Sequence, residues 1–359
     1  MSVHGELSKI VRCFFGEHFS MSMFLVLPVA VGLALLLTGF FRRYALSHNL
    51  LDLPNVRGSH SVPTPRGGGV SIAITFLLLV PVFGIKGDLP FPVICAMLGG
   101  GFCVALIGFL DDHKHVAISW RLSAHFLGAI WALYWFDGFP SVTVFGVVLS
   151  LGWIGNLFAV IFLVWLLNLY NFMDGIDGVA SIEAITICIG ASFLLLIQNE
   201  SQAFWLPPLL LAFTAMGFLY WNFPQAKVFM GDAGSGFVGF MLGLFSIQAA
   251  WESTRMFWVW IILLGVFVVD ATLTLLQRII KGEEFYKAHC KHAYQVAARQ
   301  YGSHKAISLS IGAINFIWLL PVAYLVSIQW IDGALGVIIA FTPLVGLFLH
   351  FRENLVERA

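Results

Sequence analysis

Apolar residues run in long unbroken stretches along this chain, and polar residues are gathered into the intervals between them. A helix needs roughly 20 apolar residues to cross a bilayer. On that measure the pattern predicts eleven membrane helices, over residues 21–41, 67–86, 92–110, 122–136, 154–170, 179–198, 204–221, 234–250, 257–276, 307–327 and 332–350. One further interval, 139–153, is apolar around Val142 to Leu151 and reads as an interfacial helix or a further half-span. A full extra span there would reverse the parity of everything after it.

Composition agrees with that reading. Of 359 residues, 59% are hydrophobic and 11% charged, against roughly 25% charged in an ordinary soluble domain. The expected fold is all-α, a polytopic membrane helix bundle of about 11 transmembrane helices forming a single domain over 1–359. Formal net charge is zero, so no global basic field argues for nucleic acid. The distribution of cations is more informative. With eleven spans, Arg42, Arg43, Arg57, Arg66, Lys114, Arg121, Lys227, Arg278, Lys281, Lys287, Lys291, Arg299, Lys305, Arg352 and Arg358 fall on one side, and only Lys9, Arg12, Lys86 and Arg255 on the other. Positive loops stay in the cytoplasm, which predicts an external N-terminus and a cytoplasmic C-terminus. Residues 1–20 lack a small-residue cleavage site, so the first apolar segment is read as retained. The five cysteines form no CxxC pair and read as core fillers.

The most polar stretch in the most apolar surroundings is NLYNFMDGIDGVAS, residues 168–181. Asn168, Asn171, Asp174 and Asp177 recur every third residue, so on a helix each neighbouring pair shares a face. Carboxylates at the edge of a membrane segment need a cation, water or a ligand as partner. The other loops of the positive side carry related chemistry. GFLDDHKH places Asp111 and Asp112 at a helix C-terminus, where the backbone dipole is already negative; a hard divalent cation such as magnesium suits them, and a solvated charge cluster is the alternative. In RGGGVS, Gly67, Gly68 and Gly69 open a helix whose amides favour an anion, with His60 and Arg66 as cationic donors; a plain Pro/Gly connector is the other reading. VFMGDAGSG sets Gly231, Gly234 and Gly236 around Asp232 and Ser235, a phosphate-cradle composition beside a potential metal ligand. Gly239 and Gly243 serve close helix packing equally well. The last long loop contains AHCKHAYQ, whose His289 and His292, with nearby basic residues, suit a diphosphate. Zinc at His289, Cys290 and His292 lacks a second ligand pair. Asp270, inside a span, is either functional or a structural hydrogen-bond partner.

Taken in order, LDLPNVRGSHSVPTPRGGG, GFLDDHKH, NLYNFMDGIDG, VFMGDAGS and AHCKHAYQ resemble the motif set of the polyprenyl-phosphate N-acetylhexosamine-1-phosphate transferases, over nearly the whole chain. The HCKHAYQ ending departs from the His-rich HxHH form of the peptidoglycan-precursor and enterobacterial GlcNAc branches and is closer to the branch similar to O-antigen initiating transferases using UDP-N-acetylfucosamine or UDP-N-acetylquinovosamine. The resemblance implies transfer of a sugar 1-phosphate from a UDP-N-acetylaminosugar to undecaprenyl phosphate, with release of UMP, at the cytoplasmic face of a bacterial inner membrane. It further implies magnesium, with manganese as a substitute, membrane lipid as surroundings, and a homodimer as a candidate assembly. By matching motif positions, Asp232 with Asn171 is the expected metal site. Asp111, Asp112, Asp174 and Asp177 are the expected catalytic acids. Arg66, Asn168, Asn171, Asn222, Gly231, Ser235, His289 and His292 are the expected substrate contacts.

Two rival classes fit less of the chain. An ion-coupled transporter would spread acids through the depth of the bilayer, whereas only Asp270, and Glu183 near a helix end, lie within predicted spans. An intramembrane aspartyl protease needs only two buried acids, and leaves the glycine-rich loops and the histidine segment unexplained.

Overall fold

The computed structural model of the protein describes residues 21–53, 62–198, 204–282 and 292–356. In chain order the helices are α1 (Met21–Ser47), α2 (Val70–Ile85), α3 (Phe91–His113), α4 (Ile118–Trp135), α5 (Gly152–Met173), α6 (Val179–Ile197), α7 (Leu206–Asn222), α8 (Gly231–Glu252), α9 (Thr254–Leu263), α10 (Gly265–Ile280), α11 (Ala293–Tyr301), α12 (His304–Ile314), α13 (Leu320–Ser327) and α14 (Gly333–Val356). A π-helical turn, Asn315–Leu319, joins α12 to α13. Two short antiparallel ribbons complete the described residues, β1 (Leu51–Asp52) with β2 (Thr64–Pro65) and β3 (Val142–Val144) with β4 (Val147–Leu149).

Every one of the eleven intervals is helical, yet fewer than eleven helices are long and apolar enough to span. Among the described residues seven qualify: α1 over Leu25–Ser47, α3, α5, α6, α8, the continuous His304–Ser327 and α14 over Gly333–Arg352. An eighth is counted if α9 and α10 form one broken span, bent by 71°. The break falls where Leu264 (φ −74°, ψ 0°) leaves the helical ladder. Val70–Ile85 has only 16 residues, too few for a typical hydrocarbon core at 1.5 Å per residue. This is a polytopic helical membrane protein in which some apolar helices are shorter than spans.

The interval 139–153 is neither an interfacial helix nor a half-span. Val142-Thr-Val and Val147-Val-Leu pair as β3 and β4 around Phe145 (φ 48°) and Gly146 (φ 77°). Two successive positive φ values match the two-residue turns that suit the twist of a hairpin, and the β-branched residues on either side favour strands. The apolar count was the same for either structure; the Phe-Gly turn decided it.

At the centre stands α8. From Ala233 to Ala250 every residue is buried, the condition of a helix that faces protein on all sides. Its neighbours α3 and α5 come close because small residues permit it. A Cβ at Gly239 would stand 2.6 Å from Cβ of Tyr170 and 2.9 Å from the Leu166 carbonyl, and one at Gly108 of α3 would stand 2.6 Å from the Ala233 amide nitrogen. Such backbone approach is how membrane helices gain packing without a hydrophobic driving force. Outward faces of α1, α3, α4 and α5 carry exposed Leu36, Phe40, Phe102, Leu127, Ile130 and Ile161, surface suited to lipid. The three cysteines among the described residues, Cys95, Cys103 and Cys188, are free.

Candidate active site

The C-terminal ends of α3, α5 and α7 and the N-terminal ends of α2, α6 and α8 meet at one end of the bundle, and the segment from Asn222 to Ser235 joins them. Phe229 N–H donates to the Pro65 carbonyl at 2.8 Å, Gly68 N–H to Phe229 at 3.0 Å and Gly69 N–H to Met230 at 2.8 Å. The amides of Gly68 and Gly69 were expected to receive an anion. They are instead consumed by backbone carbonyls, and the glycines are there for contact: a Cβ on Gly69 would lie 2.7 Å from Cα of Gly234. Glycine for ligand approach and glycine for chain approach look alike in sequence.

The N-terminus of α8 does hold an anion, and it belongs to the chain. Asp112 Oδ1 accepts from Asp232 N–H at 3.0 Å and Oδ2 from Ala233 N–H at 3.2 Å. The carboxylate that the α3 dipole disfavours is thus stabilised by the opposite pole of α8. Gly231 makes this possible. Its φ is +75°, and a Cβ there would stand 2.6 and 2.7 Å from the two Asp112 oxygens. Gly231 and the cradle therefore seat a carboxylate where a phosphate was expected.

Asp111, beside it, is turned the other way. Val116 N–H donates to Oδ1 at 2.7 Å, and Arg121 Nη1 to Oδ2 at 2.7 Å. The other terminal nitrogen of Arg121 lies 3.3 Å from Asp232 Oδ2. Arg121 thereby bridges two acids from two helices. The remaining Asp232 oxygen, Oδ1, accepts from Asn171 Nδ2 at 2.8 Å, and the same amide group donates to Ser235 Oγ at 2.9 Å. Asn171, expected to offer oxygen to a metal, turns its nitrogen toward Asp232. Ser235 Oγ in turn donates to the Gly231 carbonyl at 2.9 Å. Between these groups lies a cleft of about 10 Å³, lined by Arg121, His125, Asn168, Asn171, Asp232 and Gly236 among others, room for one water or one bare ion. Asn168 itself donates to the Val164 carbonyl of its own helix at 2.7 Å.

The threefold spacing of Asn168, Asn171, Asp174 and Asp177 holds on the helix only as far as Met173, where α5 stops. Asp174 caps the end and Asp177 belongs to the turn into α6. Loss of solvent pushes the Asp174 carboxyl up to about 7, and the negative charges of Asp232, Asp112 and Asp177 add to the push. Asp177 is bound on every side: Oδ2 accepts from Ala226 N–H at 3.1 Å, Oδ1 lies 3.4 Å from His304 Nδ1, and its carbonyl accepts from Ser308 at 2.8 Å. Asn222 is likewise spent on structure. Its Oδ1 accepts from Gly178 N–H at 2.9 Å and its Nδ2 donates to the Val228 carbonyl at 3.0 Å, which ties the Asp174–Gly178 turn to the Asn222–Ser235 segment.

The histidine segment meets the same turn. A side chain at Gly175 would collide with the Tyr294 hydroxyl and the Gln295 amide. Asp270 of α10 accepts from the Ala293 and Tyr294 amides, each at 3.1 Å, and lies 3.1 Å from His292 Nδ1. Its role is that of a structural partner that fixes the start of α11 and orients His292. His60, His289 and Cys290 lie outside the described residues. Arg66 stands within electrostatic range of Asp112.

Sequence reasoning missed Arg121, counted only as one more cytoplasmic charge. It was findable: Arg121 and His125 are four residues apart, on one face of the helix that follows the aspartate pair, and both line the cleft.

At one end of the bundle, then, four aspartates converge, with an arginine that joins two of them and a carboxylate oriented by an amide. Residues 94–250 match the model of the family described as Glycosyl transferase family 4, and the matched segment contains Asp111, Asp112, Arg121, Asn171, Asp174 and Asp232. The chain is similar to a probable undecaprenyl-phosphate N-acetylglucosaminyl 1-phosphate transferase of Bacillus subtilis (strain 168), 28% identical over 90% of this chain and 94% of the relative. It is also similar to an undecaprenyl-phosphate alpha-N-acetylglucosaminyl 1-phosphate transferase of Thermotoga maritima, 28% identical over 77% of this chain and 82% of the relative. A phospho-N-acetylmuramoyl-pentapeptide-transferase of Streptococcus pyogenes is 30% identical over 60% of this chain and 66% of its own length.

Proposed function

We propose that the protein transfers an N-acetylaminosugar 1-phosphate from a UDP-sugar to undecaprenyl phosphate on the cytoplasmic face of a bacterial inner membrane, releasing UMP, as the first step of an O-antigen-type surface polysaccharide. The observation that carries this reading is the cluster of Asp111, Asp112, Asp174 and Asp232 at one end of the bundle, with Arg121 joining Asp111 to Asp232, within the segment that matches the family. The O-antigen branch rests on the HCKHAYQ motif of residues 289–295.

Surplus negative charge at the site calls for a cation. Among the described residues no three His, Cys, Asp or Glu side chains form a preformed cage. That accords with magnesium, which is commonly held by one or two carboxylates while substrate phosphates and water complete its shell. Asp232, with Asp174 near it, would hold the ion, and the ion supplies neutralisation of charge on phosphoryl oxygens. The protein's own groups do the rest. Asp111 fixes the guanidinium of Arg121 beside a cleft that admits one water or one bare ion, so a phosphate would meet that charge from outside the cleft. Asn171 and Ser235 hold Asp232 in one orientation. Asp112 and Gly231 lock α3 to α8, so that the acids of both helices keep their spacing.

In the reaction a phosphate oxygen of the lipid attacks the sugar-linked phosphorus, a new P–O bond forms, and the P–O bond to UMP breaks. One diphosphate linkage replaces another, so added UMP should drive the reaction backwards. The test is the nucleotide product, measured with membranes, radiolabelled undecaprenyl phosphate and a panel of UDP-sugars. UMP is expected, with turnover lost to a chelator; UDP as the stoichiometric product would mean attack at the anomeric carbon and would overturn the proposal.

A further inference from the structure

Outside the acid cluster, two basic side chains gather on one tryptophan with no carboxylate partner among the described residues. Trp221, at the end of α7, donates its indole N–H to the Leu35 carbonyl of α1 at 3.0 Å, and its ring edge lies where a Cβ on Gly39 would be 3.1 Å away. The indole is thereby fixed as a shelf between two helices. Arg42 Cζ stands 5.7 Å from that ring and Lys227 Nζ 5.9 Å from it; Lys227 Nζ is also 5.7 Å from the ring of Tyr220. Arg42 Nε donates to the Lys227 carbonyl at 3.1 Å. Among the described residues no carboxylate pairs with Arg42 or Lys227.

We propose that Arg42, Lys227 and the Trp221 shelf form a binding site for the phosphate of an anionic phospholipid head group. Attraction of a cation to an exposed ring is worth only about 0.5–1 kcal/mol, and two like charges on one ring repel each other. Excess basic charge on the cytoplasmic side needs no such gathering: the neighbouring Arg43 is simply exposed. Here, by contrast, the guanidinium is tethered through Nε, which leaves its two terminal nitrogens for a phosphate. The lipid source follows from position. On the same helix, Leu36 and Phe40 present 69% and 61% of their surface, and Tyr220 presents 60%. Acyl chains would run along that apolar face with the head group at the level of the aromatic and basic side chains, the order found at membrane interfaces. A bound lipid would also brace the acid cluster, because Ala226, next to Lys227, holds Asp177, and Val228 holds Asn222. This inference does not depend on the transferase reading.

The experiment uses the full chain in phosphatidylcholine nanodiscs with and without phosphatidylglycerol, with retained lipid counted by native mass spectrometry and melting temperature recorded in parallel. Wild type should retain phosphatidylglycerol and melt higher in its presence. The double variant Arg42→Gln, Lys227→Gln should lose about tenfold or more of that retention, as expected for two basic groups at a charged surface, and should lose the thermal gain. Lys227→Gln alone, at an exposed position that cannot unfold the bundle, should lose part of both, and Arg43→Gln neither. Equal retention by wild type and the double variant, or an equal loss in Arg43→Gln, would overturn the site. Displacement of phosphatidylglycerol by inorganic phosphate, or by an equimolar amount of undecaprenyl phosphate, would assign it to another ligand and overturn it as well.

Discussion

Arg121 is the single side chain on which most of the acid cluster leans. Its guanidinium and the Asp232 carboxylate are partly open to solvent, while Asp111 is buried, so the Asp232 half of the clamp contributes orientation more than stability. Replacing it with Gln should leave the protein folded and lower kcat/KM by on the order of 10²-fold, the usual scale for removing one donor to a developing phosphoryl charge. Arg121→Lys, which keeps the charge but loses the fork, should fall between. Turnover measured beside gel-filtration and circular dichroism profiles checks both. Asp232→Asn keeps shape while removing a charged ligand; activity should collapse, and raised magnesium should restore it only in part. Near-normal turnover in folded Asp232→Asn would remove the metal assignment. Asp174 offers a test without substrate. Its carboxyl is raised to about 7 in the folded protein, against about 3.9 in an unfolded chain. Stability is therefore fully present below about pH 4 and falls as pH rises toward 7, where the unfolded state has ionised and the folded state resists. Asp174→Asn abolishes this loss. In chelator, the stability of the variant relative to wild type should improve from pH 4 to pH 8 by a few kcal/mol, about 4 being the linkage equivalent of the whole rise; a difference independent of pH would contradict the raised value.

At the scale of elements, the sequence told more about which segments meet than about what they exchange. Asp111, Asp112, Asn171, Asp174 and Asp232 were legible because polar residues beside membrane helices have few reasons to be there. Backbone pairing was not. The amides of Gly68, Gly69, Asp232 and Ala233 all have partners within the chain, and hydrogen-bond partners distant in sequence leave no local pattern to read. The hairpin of β3 and β4 was missed for a related reason, since apolar content is blind to period when nearly every residue is apolar. The junction of α3 and α8 can be tested at Gly231. Gly231→Ala adds both a strained left-handed conformation, at roughly 1 kcal/mol, and a methyl against Asp112. Activity should drop at least tenfold with a lowered melting temperature, whereas Gly346→Ala in α14, with nothing within 4 Å of the added carbon, should change neither. Equal behaviour of the two variants would separate Asp112 from Gly231.

For the whole molecule, the arrangement requires the loops that carry the site to lie on one side of the membrane, and the helix ends do gather that way. The charge asymmetry of the sequence predicts which side this is. Reporter fusions after Gly178 and Gly231 should read cytoplasmic, and one near Gln202 external; an external reading at either of the first two would separate the site from the compartment where UDP-sugars are made. The mostly helical bundle was legible from hydropathy. Seven or eight helices among the described residues are long and apolar enough to span, and the length of an apolar run does not reveal the break at Leu264 or the brevity of α2.

The complete burial of α8 also sets an order of assembly during synthesis. With an acid near its start, Gln248 near its end and glycines between, its mean hydropathy of 1.4 is the lowest of the seven candidate spans, and no face of it is meant for lipid. The two helices that cover most of it, α3 and α5, precede it in the chain, while α9, whose Trp260 meets Phe245, follows it. When α8 leaves the ribosome, most of its walls have already been made, and a partly protein-lined slot would spare it contact with open lipid. Moving α8 ahead of α3 by circular permutation would keep every contact of the finished bundle and remove that slot at the moment it is needed.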